Sequence, residues 1–533
     1  MDLTYQARLT WGDYFVNDRL HVDAAAFIEQ EDYHYTNLSA NTSKGLTIEG
    51  LYNLSNSNDY VSASNSETNY KTRSVFGNAT VSWDDTYFVD LSIRNDWDSR
   101  LPSGANSYLY GGASVSVMLS QIIKADWLRF WKIRASAAQV GSTLGAYATT
   151  YTYSTGKYNT TITMSNPTTQ LNQQIKPTIS TSYEVGTEFR LFNNRLRGDI
   201  NFYRRDSKNQ NINVNVAAQS GYSRRQLNAG LVRNQGIEIE LGGTPVKTRD
   251  FSWDIDFNIA KNVNTLVELT PDMDEYNAGT FGFNYKWGLR YAVGQPVGTL
   301  YTQIRYIRDE QGRLVLFPTS GSAKTNFGDY RPWPQGTGYE SQVGKNKDIG
   351  NFQPDWTGGF STSLRYKGFS LRASFDFQIG GDIISWTNLW GEAVGMLDIT
   401  AAVNDKGVNV REPVAKGGGV RVDGVDPDGN PLTTYINAWY YFYYKQQYDL
   451  DAWVYKRTYL KMREVALTYT VPSNVMNRVK GISAASVSFV ANNPWLIYSG
   501  VPNIDPSESG SNYYEGGQAA STRSFGLTVK LTF

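Results

Sequence analysis

Histidine and cysteine, the side chains that most often carry nucleophilic or metal chemistry, are nearly absent: the 533-residue chain holds two His and no Cys. His21 and His34 fall on one predicted strand with opposite parity, so they face opposite ways and give a histidine-based hydrolase little to assemble. Carboxylates are too numerous to single out a catalytic pair, no metal-ligand spacing occurs, and no Gly-rich phosphate loop opens a helix. Asp426-Pro427-Asp428-Gly429-Asn430 invites a calcium reading, but its Gly stands at the wrong position for an EF-hand loop and no Glu closes it, so it reads as a turn. The chain is therefore expected to be no enzyme and to hold neither cofactor nor metal. Its more promising chemistry lies in rings. Trp386, Trp390 and the run Trp439, Tyr440, Tyr441, Phe442, Tyr443 and Tyr444 sit in a long predicted loop, and aromatic faces stack on sugar rings and anchor protein interfaces. They are the expected ligand- or partner-binding residues, with packing inside the loop as the alternative.

The elements that must carry such loops are strands. Hydrophobic residues make up 40% of the chain and charged residues 19%, with 48 Gly, 37 Tyr and 14 Trp, a profile that favours strands and long loops over amphipathic helices. Lys plus Arg equals Asp plus Glu at 50 each, so no net field recommends nucleic acid as a partner. No stretch approaches the roughly 18 uninterrupted apolar residues of a membrane helix, so a bilayer would be crossed by a closed barrel. The chain ends on a strand in which Phe525, Leu527, Val529, Leu531 and Phe533 alternate with Gly526, Thr528, Lys530 and Thr532. One face suits hydrocarbon and the other suits water. This strand with its terminal aromatic is the expected barrel-assembly signal.

The same alternation recurs over Leu3 to Trp11, Leu20 to Ala26, Val75 to Trp83, Tyr87 to Ile93, Ala113 to Leu119, Trp131 to Ala137 and Tyr183 to Leu191. It returns over Leu196 to Phe202, Ile237 to Leu241, Phe251 to Ile259, Phe360 to Tyr366, Phe369 to Phe377, Val465 to Val471 and Val487 to Ala491. With the last strand this predicts about fifteen membrane strands, an odd number where single-chain barrels use an even one. An upstream strand is therefore expected. Val297 to Phe317, with a turn at Asp309 to Gly312, is expected to be a hairpin inside a loop. Short connections near residues 17, 85, 193, 247 and 368 alternate with long ones at 36–69, 141–180, 207–228, 262–352, 381–455 and 498–520, the asymmetry of outer-membrane barrels. Trp11, Tyr14, Phe15, Trp83, Tyr87, Phe88, Phe192, Tyr366 and Phe369 flank the short turns as an interfacial girdle would. A soluble or surface β-protein that binds carbohydrate or protein partners is the alternative architecture. On the polar strand faces, Asp90, Arg94, Glu184, Glu188, Arg190, Arg197, Asp199, Glu238, Glu240, Asp254 and Asp256 point into the lumen of the predicted barrel.

Several stretches resemble the SusC/RagA family of TonB-dependent outer-membrane transporters. They are Trp127-Leu128 with Trp131 to Gly141, Val232-Arg233-Asn234-Gln235-Gly236-Ile237-Glu238, and Gly350 to Phe360 with Gly380-Gly381-Asp382-Ile383. Tyr459 to Val465, Asn492-Asn493-Pro494-Trp495 and Asp505-Pro506 are similar to the family's closing strands, and the matches keep family order along nearly the whole chain. The resemblance implies an all-β, transmembrane antiparallel barrel of twenty-two strands whose lumen is plugged. Residues 1–533 would be its C-terminal two-thirds, with the plug and first strands outside this chain. It further implies TonB-powered import of oligosaccharides or peptides across the outer membrane of a Gram-negative, Bacteroidota-like cell. The implied partners are a SusD-like lipoprotein lid, the TonB complex reached through the missing N-terminal part, the barrel assembly machinery and the lipid bilayer. The lumen charges would then contact the plug, against the alternative that a wet interior simply tolerates ion-paired charge.

Overall fold

The computed structural model describes residues 1–158, 161–282, 287–332, 347–478 and 481–533. Among these, the long strands are β1 (Asp2–Phe15), β2 (Leu20–Leu46), β3 (Ser57–Trp83), β4 (Tyr87–Asp98), β5 (Ser107–Met118), β6 (Leu128–Ser142), β7 (Thr178–Leu191) and β8 (Leu196–Asn215). They continue with β9 (Arg224–Lys247), β10 (Phe251–Glu268), β11 (Trp356–Tyr366), β12 (Phe369–Ile379), β13 (Tyr459–Thr470), β14 (Ala484–Ser499) and β15 (Ser524–Thr532). These fifteen are the segments in which apolar and polar residues alternate.

The chain divides into two units. The first comprises Met1–Glu188, Asn201–Arg233 and Glu268–Thr270, and its strands follow one another in chain order from β1. Register keeps like faces together: Val22 pairs with Val81, Ala24 with Ala79 and Ile28 with Val75 across β2 and β3. The turn between β1 and β2 places Val16, Asn17 and Asp18 at φ 57, 55 and 64°, a left-handed run that Asn and Asp tolerate better than most residues. Arg19 then donates from Nε to Asp84 in the next short turn at 2.8 Å. Leu9, 74% exposed, and Ile28, Val75, Leu91, Ile93 and Val185 project from the sheet uncovered.

The second unit comprises Phe189–Ile200, Asn234–Val267 and Pro271–Phe533, in which β10 to β15 also succeed one another in order. Leu371, Leu467, Phe489 and Leu527, the last 71% exposed, stand bare on the sheet. An apolar surface repeated on strand after strand is not that of a water-soluble monomer; it fits hydrocarbon as its solvent. The buried core of this unit lies in the loops instead. Trp287, Leu300, Ile384, Leu389, Leu450 and Trp453 form one cluster and Leu316, Phe327, Val422 and Ile436 another. Among the described residues β1 has a ladder partner only in β2, and β15 only in β14.

Two expected loops prove to be strand. Residues 36–69 extend β2 and β3 into a ribbon in which Thr36 pairs with Glu67 and Ala40 with Ala63; only 47–56 remain as a connection. The 207–228 loop shrinks likewise to 216–223 between β8 and β9. The first ribbon carries Ser, Asn and Thr on both faces, so no apolar alternation marks it, although the backbone ladder needs none. Val297 to Phe317 lies outside the long strands as expected: Thr299–Thr302 pairs inside a four-stranded loop sheet, and Gly312 N–H donates to Asp309 O at 3.0 Å to close the turn. Residues 283–286 and 333–346 of the 262–352 loop, and 159–160 of the 141–180 loop, lie outside the described residues.

Candidate functional site: the long-loop layer

Within the second unit, the connection between β12 and β13 folds around two helices, α1 (Trp386–Ala393) and α2 (Ala438–Tyr448). The first turn of α1 is held by the buried Glu515 carboxylate, which accepts from Thr387 Oγ1 at 2.7 Å and Thr387 N–H at 3.2 Å and from the Ser385 hydroxyl. An anion at a helix N-terminus satisfies orphan N–H groups and meets the positive end of the dipole. Asn437 caps α2 by accepting from Trp439 N–H at 3.1 Å, and Lys445 joins the helices through Glu392 at 2.7 Å.

Helical spacing sorts the aromatic run into faces. Ala438, Phe442 and Gln446 recur every four residues and are buried, whereas Trp439, 58% exposed, and Tyr443 stack with centroids 5.1 Å apart and planes 5° from parallel. Tyr440 and Tyr444 form a third face, set edge-on to Phe327 at 5.2 and 5.1 Å. Tyr441 packs inward against two loop clusters, and burial pushes its hydroxyl up to about 12. Trp386 stacks on Tyr514 at 4.8 Å beside the Trp287 core, while Trp390 remains exposed. Of the eight expected binding aromatics, the structure thus presents Trp390, Trp439 and Tyr443 outward and places Trp386, Tyr440, Tyr441, Phe442 and Tyr444 in packing positions.

The charges expected on the lumen side are mostly engaged with neighbouring side chains. In the first unit, Arg94 reaches Asp96 at 2.7 Å and Glu29 at 3.0 Å, and Asp90 accepts from Thr80 and Ser114, each at 2.8 Å. In the second, Arg197 pairs with Asp256, and Asp254 accepts from Thr244 at 2.6 Å. Glu188, Arg190 and Asp199 are engaged as well, Glu184 is half-buried, and Glu238 and Glu240 are exposed. Among the described residues no three His, Cys, Asp or Glu side chains gather as a metal site. The Asp426 carboxylate instead closes its turn, accepting from the N–H of Asp428 at 3.0 Å and of Asn430 at 2.9 Å.

Sequence reasoning missed a buried ion network beside the helices. Lys461 on β13, 1% exposed, donates to Asp505 and Glu508, each at 2.7 Å. Arg463 reaches Glu508 at 2.6 Å and Asp376 on β12 at 2.8 Å. Hydrogen bonds from Lys461 and Arg463 hold Glu508 below the usual carboxylate range. Asp505 also falls below it, because its bonds to Lys461 and Ser507 outweigh the upward push of burial. The sequence signal lies in Tyr459 to Val465 and Asp505-Pro506, which carry the opposite charges of the network in two separate motifs. The Gly350 to Phe360 motif is a junction too. Gln353 Nε2 donates to Asn264 O at 2.8 Å and to Val297 O, while its Oε1 accepts from Asn264 N–H at 2.9 Å. Gly380, at φ +73°, leaves no room for a side chain, since a Cβ there would lie 2.1 Å from Asp355 Oδ2.

Asp449, at the end of α2, is buried with Arg308 Nη2 3.2 Å away. Burial raises its carboxyl to about 6, with Arg308 opposing and Asp451 adding to the rise. A carboxyl raised above its unfolded value favours the fold while protonated. Its contribution is complete below the ordinary Asp value of about 3.9 and is lost as pH rises through about 6. Amide exchange of α2 is therefore expected to quicken about tenfold between pH 4 and pH 7, after correction for intrinsic exchange, and Asp449→Asn should abolish that dependence. An equal pH dependence in the variant would assign the effect to another group.

The apolar exterior, short turns on one side and loop layer define the class: an outer-membrane β-barrel, which sets the soluble alternative aside. Residues 2–333 match the family described as TonB dependent receptor-like, beta-barrel, and the chain belongs to that family. TonB-dependent receptor P3 of Formosa agariphila is 24% identical over 476 residues, covering 85% of this chain and 43% of the relative. TonB-dependent receptor SusC of Bacteroides thetaiotaomicron is 26% identical over 228 residues, 40% of this chain and 21% of the relative. Among solved structures, the RagAB peptide importer in the closed-closed state superposes with a TM-score of 0.76 at 20% identity, covering all of this chain and 55% of the other. The chain spans less than half the length of these curated relatives.

Proposed function

We propose that this chain is the barrel part of an active importer that carries oligosaccharides or peptides across the outer membrane. Its residues 1–533 form the C-terminal portion of a larger barrel, completed by further strands and a plug. The partners on this reading are a SusD-like surface lipoprotein serving as lid, TonB acting through the plug-bearing portion, and the barrel assembly machinery, which reads Phe525 to Phe533. Glu238, Glu240 and Glu184 on the polar strand faces are the charges that meet the plug. The role is transport rather than catalysis.

One observation carries the reading. An apolar-faced barrel needs no ordered loop core to span a bilayer, yet here the loops hold their own core and set Trp439 and Tyr443 outward as a stacked pair. Such a platform is pre-organised, because the second ring fixes the rotamer of the first. In the assembled transporter, Trp439→Ala with Tyr443→Ala is expected to weaken ligand or lid binding at least about tenfold, a loss of roughly 1.4 kcal/mol, and to lower energy-dependent uptake. Heat-modifiable migration should stay unchanged. Uptake and lid affinity at the parental level would return both rings to a packing role.

A further inference from the structure

The connection between β14 and β15, together with the end of β14 and Thr387 of α1, lines an open-mouthed cavity of about 800 Å³, within the size range of small-ligand sites. The apolar part of its lining is aliphatic, from Leu496, Pro502, Ile504, Ala519 and Ala520, set among Thr, Ser, Asn and Gln side chains, and no aromatic ring is among its described lining residues. Two carboxylates reach it, Asp505 and Glu508, but both are engaged by Lys461 and the second also by Arg463. The cation left on the lining is Arg523, which no carboxylate approaches within ion-pair distance among the described residues. An apolar wall beside an unengaged guanidinium matches a small ligand with a hydrophobic end and one carboxylate, since the guanidinium fork binds carboxylate through two parallel hydrogen bonds. A neutral sugar ring would call for the opposite, a ring to stack on and no lone charge.

We propose that this cavity is a subsite for the C-terminal end of a short peptide, with the last side chain against Leu496, Pro502 and Ile504 and the terminal carboxylate on Arg523. The proposal rests on the importer reading for the source of the ligand, and names its class. The test uses outer membranes containing the assembled transporter and fluorescent acetyl-Gly-Ala-Leu, as the free acid and as the C-terminal amide. The acid should bind about tenfold tighter than the amide. Arg523→Gln should erase that difference, Arg523→Lys should keep part of it, and Ala520→Phe, which pushes a ring into the cavity, should weaken the acid at least as much as Arg523→Gln. The comparison of acid with amide on the unaltered protein needs no variant to fold. Equal binding of acid and amide would overturn the proposal, as would a neutral maltooligosaccharide binding more tightly than either peptide. Uptake that stops when the proton gradient is collapsed tests the importer reading separately. Acid-selective binding without such uptake keeps the subsite and removes the importer, while uptake with no acid selectivity does the reverse.

Discussion

On the importer reading proposed above, the chain expressed without further strands is expected to aggregate or be degraded, and supplying the proposed plug-bearing portion as a second polypeptide should rescue a heat-modifiable barrel. The reason lies at its two edges. β1 is 14 residues long and β15 is 9, and each has a ladder on one side only among the described residues. About half the backbone N–H and C=O groups of an edge strand point away from its partner. In hydrocarbon each unsatisfied group costs several kcal/mol, so two bare edges would cost on the order of tens of kcal/mol. That exceeds the net stability of an ordinary domain, about 5 to 15 kcal/mol. Electrophoresis of boiled and unboiled membrane fractions checks this. A lone chain that migrates as a compact, heat-modifiable monomer and takes up ligand would show that its strands close without help.

Replacing Lys461 with Met should release the last long loop while leaving the strands in place. The amine is 1% exposed and bridges Asp505 and Glu508. Glu508 retains Arg463, but Asp505 is then left as a largely buried, uncompensated charge. Breaking a buried pair by removing one partner costs about 3 kcal/mol or more. At roughly 1.4 kcal/mol per decade this is about a hundredfold loss of amide protection across residues 500–523. Asp505→Asn on the Lys461→Met background should recover part of the loss, because it removes the stranded charge as well. Protection unchanged in Lys461→Met would mean that Glu515, docked on the first turn of α1, holds the loop alone.

The strands were legible because alternation has a period of two and is read within a few residues. Phe525 to Phe533, Phe369 to Phe377 and the Asn193-Asn194 turn needed no knowledge of their neighbours. The class of barrel followed from repeating that local pattern with short and long connections in turn. The ribbon over residues 36–69 was not legible, since its pairing lies in the backbone and its side chains are polar on both faces. Nor was α2, whose rings read as one aromatic run until 3.6-residue periodicity turned Phe442 inward and Trp439 and Tyr443 outward. The ion network and the Gln353 junction were hidden for a different reason: Lys461 and Asp505 stand 44 positions apart, and Gln353 and Asn264 89 apart. The sequence by itself determined which alternating segments are strands and that their apolar faces need hydrocarbon, because those depend on each residue and its nearest neighbours. Tertiary structure alone decided which rings meet solvent and which charges are neutralised, because burial and pairing are set by what distant loops bring alongside.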